Sequence, residues 1–223
     1  MLKIITPTGD RPLAWKLCQL YMARQTYAGP VEWHVVDDGR VPLEVEFDRP
    51  GYTLHMHRLP PMAGNSQARN MLHLLSHCNA GDRVVIFEDD DHYAPDWLTT
   101  VDRELERAEL VGECRARYYN VSTRQGRQLN NAGHASLCST AVRGRAIDAL
   151  RKACQSAPKF IDLQLWRRFP HRHLFGGHRV VGIKGLPGRG GIGMGHDPKF
   201  AGTHDPDGAL LREWIGRDAE LYA

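Results

Sequence analysis

Eight consecutive residues, Val84-Val85-Ile86-Phe87-Glu88-Asp89-Asp90-Asp91, constrain this chain more than any other stretch. Four apolar residues in a row predict a buried strand. The carboxylates that follow then lie just past its C-terminal end, where open α/β sheets bind their ligands. Adjacent carboxylates repel and raise one another's pKa, so a bound cation, or a polyanion held through one, would explain why four are tolerated. The alternative is a solvated acidic loop. Against it stands Pro95-Asp96-Trp97-Leu98, which opens an amphipathic helix and confines the acids to a short strand-to-helix turn.

The rest of the first half alternates strands with helices. Strands are predicted at 2–6, 31–36 and 52–59, and helices at 11–25, capped by Asp10, and from the Ser66 cap to 77, with Ala68, Met71, Leu72 and Leu75 inward. Such alternation implies right-handed βαβ units and a mainly parallel sheet. The second half is less regular. Strands are expected at 110–123 and 135–142 around a Gln/Asn/Gly-rich loop at 125–133, helices at 143–156 and 162–169, and a last strand at 179–183. The segment 185–195 holds six glycines and a proline, so it must be a loop with unusual backbone angles. Residues 207–221 suit a helical tail that docks Leu210, Leu211, Trp214 and Ile215.

The fold class that emerges is α/β: one Rossmann-like domain over residues 1–223, with antiparallel additions in its second half. Residues 1–100 read as a half of nucleotide-binding type, 101–200 as a less regular second half with substrate loops, and 201–223 as the tail. A chain of 223 residues can bury a core of that size. Five widely spaced cysteines, none in a C-x-x-C pair, indicate neither a disulfide framework nor a zinc site. No stretch approaches the roughly 20 apolar residues of a membrane span, and the N-terminus enters a strand at once, so the chain reads as soluble and cytoplasmic, without integral membrane association.

The net charge of +3 is mild but unevenly spread. Between Phe160 and Gly190 stand six cations (Arg167, Arg168, Arg172, Arg179, Lys184 and Arg189) and one acid, Asp162. That segment is either an anion-attracting wall of a pocket or a solvated basic face.

Five motifs occur in the order found in family 2 glycosyltransferases: Pro7-Thr8 with Asp10-Arg11, Gln25-Thr26-Tyr27, Val35-Val36-Asp37-Asp38-Gly39, Ala68-Arg69-Asn70, and Phe87 to Asp91 followed by Pro95-Asp96-Trp97-Leu98. The chain resembles inverting nucleotide-sugar transferases of the GT-A fold over about its first 100 residues, and only patchily beyond. The resemblance implies that Pro7, Thr8, Asp10 and Arg11 border the donor, that Asp38 with Asp37 contacts its base or ribose, and that Arg69 faces the nucleotide. The family's proline, five residues after its metal ligand, selects Asp90 as that ligand and turns Asp89 toward the ribose or diphosphate. The usual Asp-x-Asp start falls on Glu88, a departure from the family.

The resemblance also implies Mn²⁺ or Mg²⁺ as cofactor, a hard cation that carboxylate and phosphate oxygens suit and that draws off the charge of a departing nucleoside diphosphate. It places a general base at the start of a later helix, which falls on Asp162; a plain helix cap is the alternative there. His196 either completes the metal site or has a structural role. Arg189, within Gly185-Leu186-Pro187-Gly188-Arg189-Gly190-Gly191, suits an anion-binding loop, since glycine amides and an arginine can cradle a diphosphate. Trp97 and Trp166 could stack on sugars or pack in the core.

The expected activity is therefore metal-dependent transfer from a nucleotide-diphospho-sugar, a UDP-sugar foremost, to a hydroxyl acceptor, either a glycan or a modified nucleobase in DNA. The competing readings are a nucleotidyltransferase, which would carry a Gly-rich signature where this chain has Pro7-Thr8-Gly9-Asp10, and a silent sugar- or nucleotide-binding module.

Overall fold

The computed structural model describes residues 1–156, 159–191, 193–196 and 200–222. Position 192 of the glycine-rich segment and the final residue of the tail lie outside them. Among the described residues no helix is long and apolar enough to cross a membrane.

A seven-stranded sheet forms the centre, in the order β10-β6-β9-β4-β1-β2-β3. The strands are β1 (Leu2–Thr8), β2 (Val31–Asp37), β3 (Tyr52–Arg58), β4 (Arg83–Ile86), β6 (Leu110–Glu113), β9 (Thr140–Arg143) and β10 (Arg172–Phe175). β9 alone runs against its neighbours; every other pairing is parallel. The unbroken apolar run of β4 has a simple cause. Val85 and Phe87 point to one core with Ile4, while Val84 and Ile86 point to the other with Ile5, and all six are fully buried. A strand covered on both faces cannot alternate with polar residues. One face carries α1 (Pro12–Ala23) and α3 (Trp97–Glu104), and the other α2 (Gln67–Leu75), α4 (Arg145–Ser156) and α5 (Ile161–Arg168).

A second sheet, in the order β12-β8-β7-β11-β5, stands beside the first. It contains β5 (His92–Tyr93), β7 (Arg117–Asn120), β8 (Gln125–Gln128), β11 (Val180–Lys184) and β12 (Thr203–His204). The tail helix α6 (Ala209–Ile215) closes it, burying Leu211 and Ile215 against Tyr119, Val181 and Ile183.

Several sequence expectations change here. The strand expected at 110–123 is two strands in two sheets, separated where Arg115 takes a left-handed backbone (φ 57°). Residues 125–128 form β8 rather than a loop, because Gln125 to Gln128 pair with Asn120 to Arg117. The strand expected at 135–142 starts only at Thr140 and runs to Arg143, and β10 had no apolar alternation to announce it. Asp10 does not cap α1. It has φ 54°, Arg11 occupies the cap position, and Asp10 Oδ1 accepts the Arg40 N–H at 2.8 Å instead. Trp97 and Trp166 are fully buried core residues, which removes them as sugar platforms.

Candidate active site

The ends of β1 and β4 open into one cavity of about 560 Å³, a size within the range of small-molecule sites. Pro7, Thr8, Arg11, Glu88, Asp89, Asp90, Asp162, Arg189 and His196 all line it. The turn after β4 is fixed before any acid is considered. Thr6 Oγ1 donates to the Phe87 carbonyl at 2.7 Å, the Glu88 N–H donates to Tyr93 Oη at 2.7 Å, and the Tyr93 hydroxyl donates to the Cys138 carbonyl at 3.2 Å.

Each acid has its own partners. Gln67 Nε2 donates to Glu88 Oε1 at 2.6 Å. Asp89 accepts from Thr8 Oγ1 at 2.7 Å and from Arg11 Nη1 at 2.8 Å. Asp90 takes the Lys184 ammonium on Oδ1 at 3.0 Å, while its Oδ2 faces His196 Nε2 at 3.2 Å and Arg11 Nη1 at 3.4 Å. Asp91 Oδ1 accepts from Lys184 Nζ at 2.6 Å and from the Ile183 N–H at 3.1 Å.

Burial pushes all four carboxyls up, and their neighbours then separate them. Asp90 is held far below the usual carboxylate range because Lys184, then Arg11, outweighs its desolvation. Asp91 is pushed up to about 7 by burial and by the Asp90 charge, against Lys184. Glu88 is raised well above its ordinary value, by burial first and Asp91 next, and Asp89 is raised by burial despite Arg11. Lys184 stays charged: burial would neutralise it, but Asp90 and Asp91 overcome that. Asp90 is thus held as the ionised carboxylate at the cavity wall, while the pKa of each of the other three lies above its ordinary value.

Asp90 and His196 fit a divalent cation. A carboxylate oxygen and an imidazole nitrogen 3.2 Å apart on a cavity wall form the partial, open donor set that Mn²⁺ or Mg²⁺ takes when phosphate and water supply the remaining ligands. Lys184 occupies only the far oxygen of Asp90. Gly191 makes room for this histidine, since a Cβ there would stand 2.4 Å from His196 Nε2. Gly188 is equally constrained. At φ 112° a Cβ would meet the Asp10 carbonyl at 2.4 Å, so glycine lets the loop lie on the β1–α1 turn, where the Arg189 N–H donates to that carbonyl at 3.0 Å and Arg11 Nε donates to the Arg189 carbonyl at 2.7 Å.

Asp162 stands in the first turn of α5, where Phe160 is the cap residue, so it is not the helix cap. Its Oδ1 accepts the Leu163 N–H at 2.9 Å, and burial raises its pKa above the ordinary aspartate value. Among the described residues no ion pair neutralises it. Beside it Phe160 is 64% exposed at the cavity rim.

The remaining sequence candidates lie behind the wall. Asp37 is fully buried and holds its own turn, accepting the Gly39 and Leu43 N–H groups, each at 2.9 Å, and an Arg58 ion pair. Asp38, also fully buried, is gripped by Arg69 Nη2 at 2.9 Å and by Arg189. Burial would raise its pKa, yet Arg189 and the hydroxyl of Ser66 hold it below the usual value. The basic segment divides: Lys184 and Arg189 reach the cavity, Arg179 pairs with Asp96 at 2.8 Å, and Arg167, Arg168 and Arg172 are exposed. Sequence reasoning missed Lys184 as the partner of the acids, along with Gln67, Tyr93, Cys138 and Phe160. The available signal for Lys184 was a lone cation closing the apolar run Val180 to Ile183, the mirror image of β4 and its acids.

No protein-family model matches the sequence, and no curated protein sequence does. Solved structures do match in fold. S. aureus TarS, a GT-A-like glycosyltransferase, superposes with a TM-score of 0.60 at 12% identity, over 82% of this chain and 36% of that one. TarS 1–349 in complex with UDP-GlcNAc gives 0.57 at 13% identity over 86% and 59%, and its complex with UDP gives 0.56 at 11% over 82% and 60%. The chain therefore spans between about a third and three fifths of those proteins. At such identities the likeness is one of fold, and the fold is GT-A-like: a mainly parallel α/β sheet joined to a second, largely antiparallel one.

Proposed function

We propose that this chain is a glycosyltransferase that moves a sugar, with inversion, from a UDP-sugar or related nucleotide-diphospho-sugar to a hydroxyl acceptor. The observation that carries the reading is the single cavity that joins an ionised Asp90, the cations Arg11 and Arg189, and Asp162, which has no ion pair among the described residues, in a GT-A-like fold. Arg11 and Arg189 bind the diphosphate, and Thr8 and Asp89 border it. Asp90 and His196 would hold Mn²⁺ or Mg²⁺, which supplies Lewis-acid stabilisation of the departing phosphate. Lys184 keeps Asp90 ionised for that task.

Asp162 accepts the proton of the acceptor hydroxyl. The acceptor oxygen then forms its bond to the anomeric carbon as the bond from that carbon to the phosphate oxygen breaks and the nucleoside diphosphate leaves with the electron pair. Residues 1–100 supply the donor side and residues 129–163 much of the acceptor side, where Phe160 offers an aromatic face. Exposed Arg167, Arg168 and Arg172 beyond it suit a phosphate-bearing acceptor, DNA with a modified base included.

The test is UDP release from UDP-GlcNAc and other UDP-sugars, with Mn²⁺, across glycan and DNA acceptors. We expect turnover that a chelator abolishes and Mn²⁺ restores. Asp162→Asn should lower it by about 10²- to 10⁴-fold with donor affinity intact, the usual worth of a general base. Donor binding without turnover on any acceptor would make the chain a binding module instead.

A further inference from the structure

Away from the cavity, five of the chain's twelve histidines gather between the edge of the large sheet and α2. The register of β2 with β3 sets His34 opposite His55, and the two-residue period of a strand brings His57 to the same face. His73, in the last turn of α2, and His77, just after it, close over them. His34 Nδ1 lies 3.2 Å from His57 Nε2, and ring nitrogens of His34, His57 and His77 all fall within 4.8 Å of one another. His77 Nε2 is buried and has no hydrogen-bond partner.

Lys3, the cation at this place, donates to the His77 carbonyl at 2.6 Å and is balanced by Glu32 at 3.2 Å and Asp82 at 3.3 Å. Glu32 Oε2 also faces His34 Nε2 at 3.5 Å, the arrangement in which a carboxylate orients a metal-bound imidazole whose other nitrogen is the ligand. Neutral imidazoles without thiolates suit Zn²⁺ and its borderline neighbours rather than Mg²⁺ or Ca²⁺. Tetrahedral Zn²⁺ needs nitrogens about 3.3 Å apart, the spacing His34 and His57 already show.

We propose that His34, His57 and His77 form a three-imidazole Zn²⁺ site, distinct from the candidate active site, with Glu32 orienting His34. The ion ties β2 and the edge strand β3 to the turn between α2 and β4, leaving a fourth position to water. It is a structural staple for the sheet edge and takes no part in sugar transfer.

The test uses the full chain, stripped with a chelator and titrated with Zn²⁺ alone, or with Co²⁺ as a spectroscopic stand-in. We expect one equivalent bound, a rise in melting temperature, and the visible absorption of tetrahedral Co²⁺ in the unmutated protein. His57→Ala and His77→Ala should each weaken binding by more than about a hundredfold, and Glu32→Gln by about 10- to 100-fold. Asp90→Asn and His196→Ala should leave this equivalent in place. Absence of a tetrahedral Co²⁺ spectrum from the unmutated chain overturns the site whatever the variants do, as does unchanged Zn²⁺ affinity in folded His57→Ala or an equivalent that disappears with Asp90 and His196.

Discussion

Two strands of the large sheet, β2 and β4, which flank β1 on either side, end in carboxylates at the same edge, and they use them in opposite ways. After β2, two acids meet three arginines: Arg58 on Asp37, and Arg69 with Arg189 on Asp38. Backbone amides fill most of what remains on Asp37. After β4, four acids share, among the described residues, two cations, Arg11 and Lys184, and one imidazole. The first set is neutralised within the fold, so it holds turns together. The second is left short of positive charge, so burial and the neighbouring acids raise the pKa of three of its members, and the set can still attract a cation from outside. Charge balance around a carboxylate separates a fastening from a site; its position on the sheet does not.

This contrast can be broken or sharpened by substitution. The largest effect is expected from Lys184→Met, which leaves Asp90 and Asp91 buried without their shared counter-ion and should cost about 3–5 kcal/mol in urea unfolding. An unchanged unfolding midpoint would mean that the acids are not short of charge at all. Asp90→Asn comes next. It should lower turnover about 10²- to 10³-fold, the scale on which one preorganised electrostatic group matters, with folding intact.

Asp37→Asn is the counterpart on β2. It should destabilise by about 1–3 kcal/mol through its orphaned turn amides, while turnover per folded molecule is kept; a dead but stable variant would collapse the distinction. Gly188→Ala should lift the Arg189 loop off the β1–α1 turn and raise the donor KM by several-fold, about 1 kcal/mol on the scale of a strained left-handed residue, with a smaller change in kcat. The subtlest effect is on the pH profile. Asp162 must be ionised to act as a base and burial raises its pKa, so activity should climb with pH along a limb displaced above the ordinary aspartate range. A limb at the usual value would point to another group.

How much of this could be read in advance follows from what each residue depends on. β4 and its acids were legible because burial on both faces writes itself as an uninterrupted apolar run, and the proline after the turn fixed attention on Asp90. The division of 110–123 between two sheets was not, because it turns on the backbone of Arg115 rather than on any apolar pattern. Lys184 meets Asp90 across 94 residues of chain, and no local period connects them. The histidines at 34, 55, 57, 73 and 77 look scattered until the parallel register of β2 on β3 is known. Asp37 and Asp38, read from sequence as donor contacts, show what a motif leaves out: it marks where carboxylates stand, and only the fold shows that Arg58, Arg69 and Arg189 pair with them.

The span of the contacts around Arg11 also bears on how the protein is made. Arg11 reaches Asp89 and Asp90 and, 178 residues away, the carbonyl of Arg189. A chain leaving the ribosome N-terminus first exposes four adjacent acids long before Lys184 emerges to meet them, and closing contacts of such separation is slow. The donor-side residues cannot mature as an independent piece. Until Lys184 has been synthesised, the nascent acids lack the cation that Asp90 and Asp91 share, and the cavity forms only after that contact can close.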